Sequence, residues 1–169
     1  MADTPRSLYA VALRNTHAME TQGLRQMESQ VKGLEHYPDY ERLLREHITV
    51  TKAQVQRLES AMIDLGESTS SLKEAVTNTV GKIGAAVHAL AQDETLKNLY
   101  AGYAYQYEQV AAYRSLIVFA KGAGQTAHTA GFQLAIDEER RAAEAVDRLI
   151  EEVTQKYIAR TLQGKKADS

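Results

Sequence analysis

The chain contains no cysteine, which excludes disulfides, thiolate metal sites and thiol nucleophiles. Two of its 169 residues are proline, and no run of β-branched residues is long enough to suggest a sheet. No window approaches the ~18 consecutive apolar residues of a membrane-spanning helix. The opening stretch MADTPRSLYAVALRN has no uninterrupted apolar core ahead of a cleavage site, so no secretory signal is expected. Basic residues do not cluster. The 20 Lys and Arg are interleaved with 22 Asp and Glu, for a net charge of −2, and no surface is dedicated to nucleic acid. There is no glycine-rich phosphate loop, no repeat with a 20–50 residue period and no low-complexity tract. These absences lead to the expectation of a cytoplasmic protein with neither nucleic acid nor a membrane as partner.

The residues present are those of an all-α protein. Ala, Leu, Glu, Gln, Lys and Arg dominate, and all are good helix formers. A hydrophobic share of 44% and a charged share of 25% suit one globular domain spanning residues 1–169. Thr4-Pro5 starts a helix, with Thr as cap and Pro at the first helical position. An apolar ladder follows through Leu13, His17, Glu20, Leu24, Met27, Val31 and Leu34. Its alternating steps of four and three are those of a bundle helix, predicted over 5–34.

Pro38 closes that pattern and opens a second helix. Leu44, Ile48, Thr51, Val55, Leu58, Met62 and Leu65 form its seam, and Gly66 is placed to end it in a left-handed cap. The short link makes these two helices an antiparallel hairpin. The Ser/Thr cluster and the Ser71–Glu74 capping box introduce a weaker helix over 72–90. A third long helix is predicted from a cap at Asp93 to about Lys121. A fourth runs from about Thr126 to Leu162, with a seam of Phe132, Ile136, Glu139, Ala143, Val146, Ile150, Val153 and Tyr157. The polar tail over 164–169 is expected to fray. Two hairpins joined by one long crossover helix make a ferritin-like four-helix bundle.

Carboxylates stand where this pattern asks for core residues. Glu20 lies in the first seam and Glu139 in the fourth, with Glu138 beside it. Glu108 falls on a stripe of small residues in the third helix, Ala101, Ala104, Ala111, Ser115 and Val118. An unpaired buried charge costs several kcal/mol. A divalent metal would neutralise such a cluster. Buried partners would do so too, and His17, Arg57 and tyrosine hydroxyls are the candidates. One member of the Glu138–Glu139 pair is expected at the surface, with Glu139 the inward one. His47 falls one residue off the second seam, as a boundary residue. The tyrosines of the third helix are read as core or interface residues, an exposed subset forming a dimer contact.

LRNTHAMETQ, HITVTKAQVQRLE, YQYEQVAAYRSL and DEERRAAEAVDRL together resemble the YciE/YciF-type ferritin-like bacterial stress-response proteins, over roughly residues 6–160. The resemblance implies a ferritin-like bundle, a link to stress and, in some members, a metal pair. Carried across residue by residue, it assigns Glu20, Glu108 and the doublet Glu138–Glu139 as ligands of iron or manganese. His17, His47 and Gln54 are possible additions.

The second helix departs from the family's His-x-Glu-Glu-Thr, reading HITVT with Thr49 and Val50 in place of the two acids. No Glu is followed three residues later by His; His17 and Glu20 have the reversed spacing. One metal ion is therefore expected rather than two, in a homodimer able to react with peroxide or oxygen. The alternative is a non-enzymatic structural or interaction bundle with a degenerate metal site. A binding module built on a detachable 72–90 helix is a third reading.

Overall fold

A computed structural model describes residues 4–66 and 94–168. The crossover helix expected over 72–90 and the cap at Asp93 lie outside the described residues. The helices are α1 (Pro5–Gln30), α2 (Pro38–Asp64), α3 (Glu94–Gly122) and α4 (Thr129–Leu162). Single 3-10 turns at Val31–Gly33 and Thr126–His128 extend the end of α1 and the entry to α4. No strand occurs among the described residues.

Local chemistry sets the ends. Thr4 Oγ1 accepts from the Ser7 backbone N–H at 3.1 Å, while Ser7 Oγ accepts from the Thr4 N–H at 2.9 Å. This reciprocal box satisfies two donors that the helix itself leaves free. Pro38 takes the first position of α2, where its missing N–H costs nothing. Gly66 follows α2 with φ +77°, the left-handed conformation that glycine adopts without strain.

The apolar residues separate into two clusters, which fix the direction of every helix. One joins Tyr9 and Leu13 of α1, Leu58 and Met62 of α2, Leu116 of α3 and Phe132 of α4. The other joins Met27, Leu44, Leu99 and Val146. The start of α1 therefore meets the end of α2, the end of α3 and the start of α4. α1 packs beside α2 and α3, and α4 beside α3 and α2, so every neighbouring pair is antiparallel. The chain leaves α2 at one end of the bundle and enters α3 at the other. That is the ferritin-like topology.

Each end has its own fastening. At the first, Tyr9 Oη lies 2.8 Å from His128 Nδ1, and His128 Nε2 lies 3.2 Å from Asp64 Oδ2. At the second, the tail over 164–168 is tied down, which corrects the expectation that it frays. Tyr37 Oη donates to the Ala167 carbonyl at 2.7 Å, and Asp168 Oδ1 accepts from the Thr95 N–H at 3.1 Å. Composition alone made this tail look solvated; its backbone and one carboxylate find partners on the body of the bundle.

Candidate functional site

Between the two apolar clusters the seams turn polar. Each helix places one side chain at mid-length: Glu20 on α1, Gln54 on α2, Gln109 on α3 and Glu139 on α4, all with no exposed surface. The heptad-like steps that bury Leu13 and Met27 also bury Glu20. The same register carries Gln54 inward between Thr51 and Leu58, Gln109 inward before Tyr113, and Glu139 inward between Ile136 and Ala143.

The four side chains pair across neighbouring helices. Gln109 Nε2 donates to Glu20 Oε2 at 2.6 Å, and Gln54 Nε2 donates to Glu139 Oε1 at 2.6 Å. Gln54 Nε2 also reaches Glu138 Oε2 at 3.1 Å, and the Arg57 guanidinium bonds that same oxygen. His47, 5% exposed, brings Nε2 to 3.3 Å from Glu139 Oε2, within ion-pair range. Glu20 Oε1, Gln54 Oε1, Gln109 Oε1 and Thr51 Oγ1 are buried without a hydrogen-bond partner.

Burial, and after it the nearby Glu139, push the Glu20 carboxyl up to about 8 against the opposing pull of Tyr113, Gln109 and Arg57. Near neutrality the Glu20 carboxyl therefore holds its proton more tightly than an exposed carboxyl would. Tyr113 is pushed well above the usual phenol range by burial and by both carboxylates, so it stays a hydroxyl. The centre is a polar layer of buried acids held by Arg57 and by oriented amides.

The site residues read from the sequence divide into those this layer gathers and those it does not. Glu20, Glu139, Gln54 and His47 belong to it, His47 as a buried member and not a boundary residue. Glu138 is half-buried at its edge, held by Arg57. His17 is buried but turns away from Glu20, its Nε2 lying 3.1 Å from Glu59 Oε1. Glu108, expected in the core, is exposed; its neighbour Gln109 is the inward residue. The reason is that α3 is apolar or small on nearly every side, so the small-residue stripe does not mark the buried face. The buried line runs Leu99, Gln106, Gln109, Tyr113, Leu116 and Ala120. That three- and four-residue ladder was the available signal, hidden because two of its steps are glutamines.

Carboxylate-bridged metal pairs in four-helix bundles draw a Glu from each of two helices and a Glu-x-x-His from each of the other two. Here two of the four central positions are neutral amides. Among the described residues, no group of three or more His, Asp or Glu side chains is arranged to hold a metal ion. The residues do not fit a dinuclear iron or manganese centre.

Residues 4–159 match a family model described as Domain of unknown function (DUF892). A solved Xanthomonas campestris protein shares 22% identity and a TM-score of 0.77, covering 94% of this chain and 98% of its own. The E. coli stress protein YciF shares 14% identity and a TM-score of 0.65, covering 88% of this chain and 96% of its own. At these identities the likeness establishes the bundle fold, in agreement with the resemblance carried by the helix motifs. The match across nearly the whole chain establishes the family: this chain belongs to the DUF892 family, a domain whose function is unknown.

Proposed function

We propose that this chain is a non-enzymatic, stress-associated ferritin-like bundle in which protons and amides hold the buried acids in place of a metal pair. The carrying observation is the pair of 2.6 Å bonds from Gln109 to Glu20 and from Gln54 to Glu139. Each supplies a neutral donor from a helix that would otherwise supply a third or fourth carboxylate. The association with stress follows the printed name of one structural neighbour and the motif resemblance. A cytoplasmic location and a homodimer belong to the same reading. The exposed Tyr100 and Tyr107 on α3 are its candidate contact residues.

A second reading rests on Glu20 Oε1, which lacks a partner, and on the 3.3 Å approach of His47 to Glu139. It is a single iron or manganese ion open to peroxide or oxygen, for which Glu20, Glu139 and His47 would have to move together from their arrangement in this structure. Elemental analysis after incubation with Fe(II) or Mn(II) and desalting separates the two. The bundle reading expects metal far below one per chain, unchanged in Glu20→Gln. One ion per chain, lost in Glu20→Gln, would replace it with the metal reading.

A further inference from the structure

Beside the polar layer, on the side of the second apolar cluster, α1 and α3 part to form a cleft of about 340 Å³ that reaches α2 and α4. Its walls include Met27, Tyr40, Leu44, Leu99, Tyr105 and Val146. An apolar cavity of about 150 Å³ already holds benzene, so this one has room for two fused rings. The Met27 thioether and the tyrosine rings favour an aromatic occupant. Two wall residues carry a buried polar atom without a hydrogen-bond partner, His47 Nε2, which lies 3.3 Å from Glu139 Oε2, and Gln106 Oε1. Gln106 is 4% exposed, and its Oε1 has no hydrogen-bond partner. A buried amide oxygen in that state costs on the order of 1–3 kcal/mol until a donor reaches it.

Charge narrows the ligand further. The exposed carboxylate of Glu108 lines the cleft and disfavours an anion. His47, also in the wall, has its Nε2 turned to Glu139 Oε2 at 3.3 Å, so an anion there would meet that carboxylate.

We propose that this cleft binds a small, neutral aromatic molecule bearing a single hydroxyl donor, a phenol in chemical class, with its ring among the apolar walls and its O–H on Gln106 Oε1. The site is distinct from the acid pair and shares only His47 with that layer. It stands whichever reading of the polar layer holds.

The test uses the full chain, with 2-naphthol, naphthalene and 2-naphthoate as probes in calorimetric titration. The expected result is saturable binding of one 2-naphthol per chain, with 2-naphthoate at least tenfold weaker. Gln106→Leu should weaken 2-naphthol about fivefold, the worth of one neutral hydrogen bond, and leave naphthalene unchanged. A Cβ at Gly102, which lines the cleft, would meet nothing within 4 Å. Gly102→Phe, checked for helicity by circular dichroism, should therefore fill the space and abolish binding of every probe. No saturable binding of 2-naphthol overturns the proposal, as does binding that survives Gly102→Phe. An affinity for 2-naphthol indifferent to Gln106→Leu, or 2-naphthoate binding as tightly, overturns the assigned ligand class.

Discussion

At the end of the bundle beneath the α3–α4 turn, Tyr9, Leu13, Leu58, Met62, Tyr113 and Phe132 are all at most 2% exposed. At the opposite end Leu99, Leu34 and Tyr37 are buried as deeply, but a cleft of about 340 Å³ remains between helices. The first end is filled by interlocking rings. Phe132 lies edge-on to Tyr9 at 6.5 Å and tilted to Tyr113 at 6.1 Å, arrangements that aromatic quadrupoles favour. The second end is fastened from outside, by the backbone of a polar tail. The same alternation of fours and threes runs through both. Periodicity therefore decides which face is buried, while side-chain shape decides how densely.

The largest effect that would sharpen this contrast comes from shortening one leucine at each end. Leu13→Ala should cost about 3–5 kcal/mol, since the ring cluster cannot close around the space left. Leu44→Ala, which removes atoms already facing the cleft, should cost about half as much. Urea unfolding measures both, and equal losses would erase the distinction.

The polar layer between the ends gives the next effect. The Glu20 carboxyl sits at about 8 in the folded chain against 4.5 in the unfolded chain. Between those values the folded state binds more protons, so this group lowers stability as pH rises, with the loss complete above about pH 8. Glu20→Gln should flatten that slope and raise stability at pH 8 by about 1–3 kcal/mol, with little change at pH 4. A destabilised variant at pH 8 would mean that the carboxylate is better held than its amides suggest.

The smallest effect concerns the tail. Tyr37→Phe removes the bond to the Ala167 carbonyl and should cost about 1 kcal/mol. Truncation before Ala167 should remove the same contribution together with that of Asp168. A silent Tyr37→Phe would return the tail to the frayed segment its composition suggests.

The four helices were legible because Leu, Val, Ile and Met recur on one face of α1, α2 and α4, and because Thr4, Pro38 and Gly66 punctuate them. Glu20 and Glu139 were legible for the same reason, as interruptions in otherwise apolar seams. Glu108 misled because α3 carries alanine and tyrosine around most of its circumference, and one residue of rotation separates it from Gln109. The direction in which His17 turns was not legible at all. Its spacing suited Glu20, but Glu59 on the facing helix captured it. The tail failed for a different reason: its contacts are mostly made by backbone groups, which leave no trace in side-chain pattern.

Gly23 has a Cβ position only 2.5 Å from the Tyr105 hydroxyl, and that hydroxyl donates to the Met19 carbonyl one residue before Glu20. The missing Cβ at position 23 thus lets one phenol ring rest against α1, where it walls the cleft and is tied to the helical turn that carries Glu20. Even a methyl group there would push that ring aside, and with it one wall of the cleft and its tie to the Met19 carbonyl.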